Sequence, residues 1–325
     1  INIWWINNTK SRLCSSTIYL RNFLDIMSEV FKKEFVIEDR IYKFKISNIS
    51  TKKVTNFYKE SPFPSYKEND NKSTIIEKGD KNILASQFKK FIGFKKKILE
   101  VGCGTGQLST YFSIGTNNEI FGLDSTIESL KLANNFSKKN QINNVKFINA
   151  DIFDDVFNKD IFDFIWCNGV LHHTKDPYGA FKIIINSLKK NGYILIGLYN
   201  KYGRLRTLIR KYLYKLFGKK LLSLLDPTLR KLKLDEDEKT AWIRDQYHHP
   251  IESLHTIDEV LDWFKKNNVE FISSIPLSDF DYNYSDFFLK RNEGTFFSRI
   301  LNQILMIFNN LGSDGGLFVV IGKKQ

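Results

Sequence analysis

At 325 residues, with 42% hydrophobic and 26% charged residues, the chain has the composition of a soluble globular protein, long enough to bury a full core as one large domain or two modest ones. Three cysteines, Cys14, Cys103 and Cys167, lie too far apart for a disulfide framework or a metal-ligand spacing, which makes a reducing cytoplasmic compartment the expectation. Lys and Arg number 49 against 36 Asp and Glu, a net charge of +13 that biases the surface toward nucleic acid, acidic lipid headgroups or phosphorylated small molecules without choosing among them.

The sequence opens on Ile1, so it is expected to begin inside a longer chain. Its first stretch, INIWWINNTKSRLC, lacks the basic start, continuous apolar run and small-residue cleavage site of a signal peptide. No run approaches the length of a membrane-spanning helix. Residues 1–55 read as a small appendage, in which KEFVIEDRIYKFKI brings two β-rich runs together at Glu38 and Asp39 as a hairpin. NFYKESPFPSY then carries two of the 6 prolines, and a helical pattern over 73–92 leads into the core.

From residue 97 short apolar runs alternate with longer helical patterns. Strands are predicted at 96–102, 118–124, 144–150, 161–168 and 193–200, with helices near 105–115, 126–140 and 177–190 between them. This is the order of an open α/β sheet, whose right-handed crossovers place a ligand at the carboxyl ends of the strands.

Beyond residue 200, KYGRLRTLIRKYLYKLFGKKLLSLL predicts a basic amphipathic helix over 203–222. Leu205, Leu208, Ile209, Tyr212, Leu216 and Phe217 share one face, and Arg204, Arg210, Lys211, Lys215 and Lys219 occupy much of the rest. The simplest placement is a lid with its apolar face on the core and its charges solvated; a peripheral membrane contact and a nucleic-acid contact are the alternatives. HTIDEVLDWFKKNNVEFISSIP predicts a helix and a strand. TFFSRILNQILMIFNNLG (295–312) predicts a helix apolar nearly all round, expected to pack on the basic helix as a hydrophobic lid, and GGLFVVIGKK a terminal strand.

The chemistry centres on KILEVGCGTGQ, residues 97–107. Gly102, Gly104 and Gly106 follow a predicted strand and open a helix, so a ligand can lie against bare main chain with helix-start amides facing an anionic group. The spacing G-x-G-x-G is one residue short of the dinucleotide fingerprint, and no P-loop occurs.

LEVGCGTGQ resembles the first motif of class I S-adenosylmethionine-dependent methyltransferases. Further matches follow in order: Asp124 at the end of the second strand, NADIF (149–153), FDFIWCNGVLHHTKDP (162–177) and LKKNGYILIGLY (188–199). The resemblance covers about residues 75–200 and the terminal strands. It implies a Rossmann-like seven-stranded α/β sheet with the last strand antiparallel, a methyltransferase domain over 56–325, and helical lid insertions at about 201–255 and 276–312. It also implies S-adenosylmethionine as cofactor, held by Glu100, Gly102, Cys103, Gly104, Gly106, Asp124, Ser125, Asp151, Ile152 and Asn168. In this reading Asp124 accepts from the ribose hydroxyls, Asp151 sits near the adenine amino group, Glu100 orients the ammonium, and Asn168 offers oxygen to the methionine portion. Plainer readings stand beside these: Asp124 caps the next helix with Ser125, and Asp151 is a turn residue.

His172 and His173, just past the fourth strand, are the catalytic candidates, needed as a base only if the acceptor must lose a proton. Relatives with Glu-His at this place align their histidine with His173 and carry Glu where this chain has His172. A purely structural role for one of the pair, packed on the next helix and bonded to backbone, is the competing expectation. A second group, Asp245, His248, His249, Glu252 and His255, matches no zinc spacing and reads as a polar rim near the acceptor; no metal is expected. Phe57 and Tyr58 resemble the aromatic segment that folds over the cofactor in many family members.

The expected activity is methyl transfer to oxygen or carbon of a small apolar or amphiphilic acceptor. The runner-up is an RNA (tRNA) methyltransferase, prompted by the positive charge, although no RRM or KH signature and no N-P-P-[YF] motif is present. An NAD-dependent oxidoreductase and a non-catalytic cofactor-binding scaffold are the remaining alternatives. Nothing in the sequence sets the oligomeric state.

Overall fold

The computed structural model describes residues 27–46, 48–59, 62, 64–231, 236–280, 286–308 and 315–325. Cys14, the opening segment and the end of the 295–312 stretch lie outside the described residues. In chain order the elements are β1 (Val36–Glu38), β2 (Ile41–Lys43), α1 (Ile49–Lys59), α2 (Lys72–Lys81), α3 (Ile83–Ile92), β3 (Lys97–Val101), α4 (Gln107–Ser113), β4 (Glu119–Asp124), α5 (Ile127–Lys139), β5 (Val145–Asn149) and β6 (Phe162–Asn168). There follow α6 (Pro177–Asn186), β7 (Leu188–Tyr199), α7 (Leu205–Leu225), α8 (Pro227–Lys231), α9 (Glu236–His248), α10 (Ile257–Lys266), β8 (Val269–Ile275), α11 (Phe296–Leu305) and β9 (Leu317–Lys324).

Local chemistry accounts for where several of these begin. Asp176 caps α6 by accepting from the Gly179 amide at 2.8 Å, with Pro177 at the first helical position where no amide hydrogen is needed. Thr256 caps α10, whose first turn carries Asp258 and Glu259 and whose last carries Lys265 and Lys266, matching the helix dipole at both ends. The central strands are buried on both faces and therefore read as continuous apolar runs.

Among the described residues nine strands form one sheet in the order β1-β2-β5-β4-β3-β6-β7-β9-β8. Pairings from β2 through β7 are parallel, and β9 runs antiparallel to both β7 and β8. The α/β architecture with antiparallel terminal pairing is the expected one. Among the described residues the strand count is nine rather than seven because the N-terminal hairpin joins the sheet: Ile41 lies opposite Phe147 in parallel register, and Phe31, Tyr42 and Phe44 belong to the main core. Phe31 stacks on Phe157 with ring centroids 5.6 Å apart, so this segment extends and covers an edge of the domain. β7 starts at Leu188, five residues before the predicted onset, because Leu188 pairs with Phe162 ahead of the irregularity in that ladder.

The helices after β7 depart furthest from expectation. In α7 the buried positions are Thr207, Arg210 and Leu222, with Arg204 fully buried at its start, whereas Leu205, Leu208, Ile209, Tyr212, Leu216 and Phe217 are exposed. A helix is present but is broken at Gly218 (φ 76°) and is not amphipathic along its whole length; the apolar residues of its first half point to solvent. In α11 the inward residues are likewise polar. Asn302 donates to the Leu277 and Asp279 carbonyls at 2.7 Å, Gln303 accepts from Asn200 at 2.8 Å, and Phe296 and Phe297 face outward. No described helix is long and apolar enough to cross a membrane.

Candidate active site

The carboxyl ends of β3, β4, β5 and β6 open into one cavity of about 620 Å³. Its floor is the turn after β3. Gly102 (φ 69°), Gly104 (φ 53°) and Gly106 (φ 71°) all adopt left-handed backbone, which L side chains resist. At Gly102 an added Cβ would also lie 2.5 Å from Val170 Cγ2. Gly106 does not line the cavity; its missing side chain leaves room for Phe147 and Ala133, which would stand 2.7 and 2.8 Å from a Cβ there. The other nine expected cofactor residues, Glu100, Gly102, Cys103, Gly104, Asp124, Ser125, Asp151, Ile152 and Asn168, line the cavity together.

The Asp124 carboxylate is set by two backbone amides, Gly104 to Oδ2 at 2.9 Å and Thr126 to Oδ1 at 2.7 Å. Burial raises its pKa, and these amides oppose that shift. Each oxygen keeps a lone pair for a diol. Capping of the following turn and ligand binding are therefore compatible in one side chain. Glu100 is buried, and burial pushes its carboxyl up to about 8 although Ser109 donates a hydrogen bond to it. Burial also holds the Cys103 thiol well above its ordinary range, so it stays protonated. Asp151 accepts from the Phe153 amide at 3.0 Å, capping a short turn, and from the Thr51 hydroxyl of α1. Asn168 Oδ1 is buried without a hydrogen-bond partner against Gly197 of β7, where an added Cβ would collide with it.

The histidine pair divides. His173 lines the cavity, whereas His172 is fully buried behind it with its ring 3.9 Å from that of Tyr199. The Nδ1 of His173 lies 2.8 Å from the Ile251 carbonyl, which can only accept, so His173 carries its proton on Nδ1. Its Nε2 is then the acceptor for His172 Nε2–H at 3.1 Å, which leaves His172 Nδ1 as a bare lone pair, in agreement with that atom having no partner. Burial lowers both imidazoles, His173 to about 4 and His172 well below the ordinary range. Both are neutral near neutral pH.

The second histidine group is only partly drawn together: His249 lies against the His173 ring, centroids 3.5 Å apart, and Gln246 and Arg204 link Asp245 to Glu252. Glu252 pairs with Arg204, His255 with Glu259 and Ser253, and Asp245 accepts from Tyr58 at 2.7 Å. Among the described residues no three His, Cys, Asp or Glu stand together so as to hold a metal ion. Asp245 does line the cavity, with Trp242 and Gln246 of α9, opposite Thr51, Val54 and Tyr58 of α1. These two helices roof the cavity and are joined by the Tyr58–Asp245 bond and by Arg244, which donates to the Phe57 carbonyl at 3.0 Å and lies over that ring. Among the described residues none from α7 or from 276–308 lines the cavity.

Sequence reasoning missed Thr51, Tyr199, Trp242 and Leu317 as lining residues. Tyr199 at the end of β7 carried the same strand-end signal as Asn168; the others have no local signature.

Arg204 holds the roof to the sheet. It donates to both Glu252 oxygens at 3.0 and 2.8 Å, to Gln246 Oε1 at 2.7 Å and to the Gly315 carbonyl at 2.9 Å, and its guanidinium lies 3.7 Å from the Tyr199 ring centroid. The residue expected on a solvated face is an internal strut.

The residues fit the methionine and ribose portions of S-adenosylmethionine: a carboxylate with spare lone pairs at Asp124, a buried acid at Glu100 and bare backbone at Gly102 and Gly104. Residues 93–268 match the family described as methyltransferase domain. Among curated proteins the chain is 28% identical over 134 residues to the ubiquinone biosynthesis O-methyltransferase of Glaesserella parasuis, covering 39% of this chain and 56% of that one. It is 29% identical over 196 residues to the tRNA U34 carboxymethyltransferase of Campylobacter fetus, covering 59% and 64% respectively. The matched stretches span about half the length of the curated relatives. Among solved structures, PKMT2 from Rickettsia typhi in complex with AdoHcy superposes with a TM-score of 0.50 at 15% identity, over 71% of this chain and 49% of that one, which supports the fold. The chain belongs to the class I methyltransferases, enzymes whose cofactor is S-adenosylmethionine.

Proposed function

We propose that the protein transfers the methyl group of S-adenosylmethionine to oxygen or carbon of a small apolar or amphiphilic acceptor. The observation that carries this reading is the lining of the cavity. Besides Glu100, Gly102, Gly104 and Asp124 it includes Tyr58, Tyr199, Trp242, Ile251 and Leu317, a largely apolar set that Asp245, Gln246 and His173 interrupt. Bound S-adenosylmethionine supplies a methyl group already activated by its sulfonium. The chain's own task is to align an acceptor and keep water out, which the latched roof of α1 and α9 serves.

His173, rather than His172, is the proposed base for an acceptor that loses a proton. It reaches the cavity, but its Nδ1–H is anchored to the Ile251 carbonyl and the one lone pair of its Nε2 is taken by His172 Nε2–H, so it serves as base only once His172 releases that nitrogen. His172 donates to that same nitrogen and acts as a positioning residue.

A tRNA acceptor is the second reading, favoured by the match to the tRNA U34 carboxymethyltransferase over 59% of this chain and by the net charge of +13. The test is incubation with S-adenosylmethionine labelled on the methyl group, offered in parallel to a panel of hydroxylated amphiphiles and to bulk tRNA. Label entering the small-molecule fraction is the expected result. Label confined to RNA, and lost on nuclease treatment, would overturn the first reading in favour of the second.

A further inference from the structure

We infer that the outward face of α7 is a docking surface for an anionic lipid bilayer, holding the protein at a membrane surface without crossing it. Leu205, Leu208, Ile209, Tyr212 and Leu216 recur every three or four residues and form one continuous stripe, with Phe217 beside its end. The stripe is open to solvent: Ile209 is 52%, Tyr212 64% and Leu216 57% exposed. Single exposed apolar residues are ordinary, but a stripe of this length along one helix is not.

The stripe cannot be buried by rolling the helix inward. Arg204, at the start of α7, is fixed by its bonds to Glu252, Gln246 and Gly315, and Arg210 is buried on the same inward side. Turning the apolar face to the core would expose the stripe's place to these charges and strand the partners of Arg204 without a donor.

Charge decides the occupant. No Asp or Glu occurs between residues 201 and 225, while Lys215 is exposed beside the apolar stripe and Lys219 and Lys220 are exposed just past the break at Gly218. Lys219 meets Glu236 at 3.4 Å in an exposed pair, and that carboxylate lies closer to Lys239, at 2.8 Å, so the pair leaves an excess of positive charge. A second copy of the chain meeting this face about a twofold axis would set lysine against lysine. A nucleic-acid backbone would satisfy the lysines and leave the aliphatic side chains wet. An anionic bilayer accommodates both, with the apolar stripe at the acyl boundary and the lysines among the headgroups. Since neither α7 nor its stripe lines the cavity, this inference stands whatever the methyl acceptor is.

The test is co-sedimentation of the full chain with vesicles of phosphatidylcholine alone and of phosphatidylcholine with phosphatidylglycerol. Expected is binding to the anionic vesicles only, weakened by salt, reduced about fivefold for each lysine removed in K215Q/K219Q/K220Q and abolished in I209E/Y212E. S-adenosylmethionine binding, measured on the same preparations, is expected to stay unchanged in both variants. If I209E/Y212E is misfolded, the triple lysine variant alone reads the charge dependence. Absence of binding to anionic vesicles, equal binding to neutral ones, wild-type binding by both variants, or a dimer that I209E/Y212E dissociates would each overturn the inference.

Discussion

The Gly104 amide donates to Oδ2 of Asp124 across 2.9 Å, tying the glycine turn after β3 to the carboxylate at the end of β4. The two features proposed to face a nucleoside are thereby held in one piece before any ligand arrives. Asp124→Ala removes the acceptor for two backbone amides and for the ribose diol together. The dissociation constant for S-adenosylmethionine is expected to rise by the equivalent of about 1.5–3 kcal/mol, ten- to a hundredfold, as read by calorimetric titration.

Gly102→Ala tests a different part of the same floor. The φ of 69° and the 2.5 Å approach to Val170 Cγ2 both oppose a side chain there, and a loss of about 2 kcal/mol or more in unfolding free energy is expected. The double variant G102A/V170A should relieve the collision but not the backbone strain. Its unfolding free energy, measured in denaturant, is therefore predicted to exceed the additive value of the two single changes.

Glu100 gives donor binding a pH dependence. Burial pushes its carboxyl up to about 8, so near neutral pH the free protein holds a proton there, and a cationic ammonium binds better to the carboxylate. Below about pH 8 binding must release that proton. Affinity for S-adenosylmethionine should then increase with pH toward that value, by at most about tenfold per pH unit, and level off above it. Titrations in buffers of different ionisation enthalpy would report the released proton, and E100Q should lose both the release and the slope.

The buried histidines make the folded state sensitive to mild acid. His173 has an ordinary value of 6.5 and is lowered by burial to about 4. Between those values the unfolded chain takes up a proton that the folded chain refuses, so stability falls as pH drops through the window, by about 3 kcal/mol from His173 alone. His172 and His249, also lowered by burial, add in the same direction. Denaturant unfolding across the window should show this decline, and H173Q should flatten it; an unchanged slope would contradict the buried neutral assignment.

How far the site was legible depends on whether the signal was local. Gly102, Gly104, Asp124, Asp151 and Asn168 each close a strand or open the next turn, so their spacing along the chain already places them at one edge of a parallel sheet. The division of labour between His172 and His173 was not legible, because it turns on the Ile251 carbonyl, which reaches them from a distant loop. The orientation of α7 was hidden for a related reason. Periodicity reveals that a helix has an apolar face but not which way it points, and here Arg204 finds partners at Gln246, Glu252 and Gly315 that no local pattern announces. The hairpin of β1 and β2 was visible as a hairpin, but its parallel pairing with β5 is a long-range choice.

Calorimetric titration of the folded protein with S-adenosylmethionine and with S-adenosylhomocysteine bears most directly on the central claim. Saturable binding of one molecule of either per chain, weakened by Asp124→Ala, is the predicted result. Heat indistinguishable from dilution for both compounds at millimolar concentration, with a protein that still unfolds cooperatively, would contradict it.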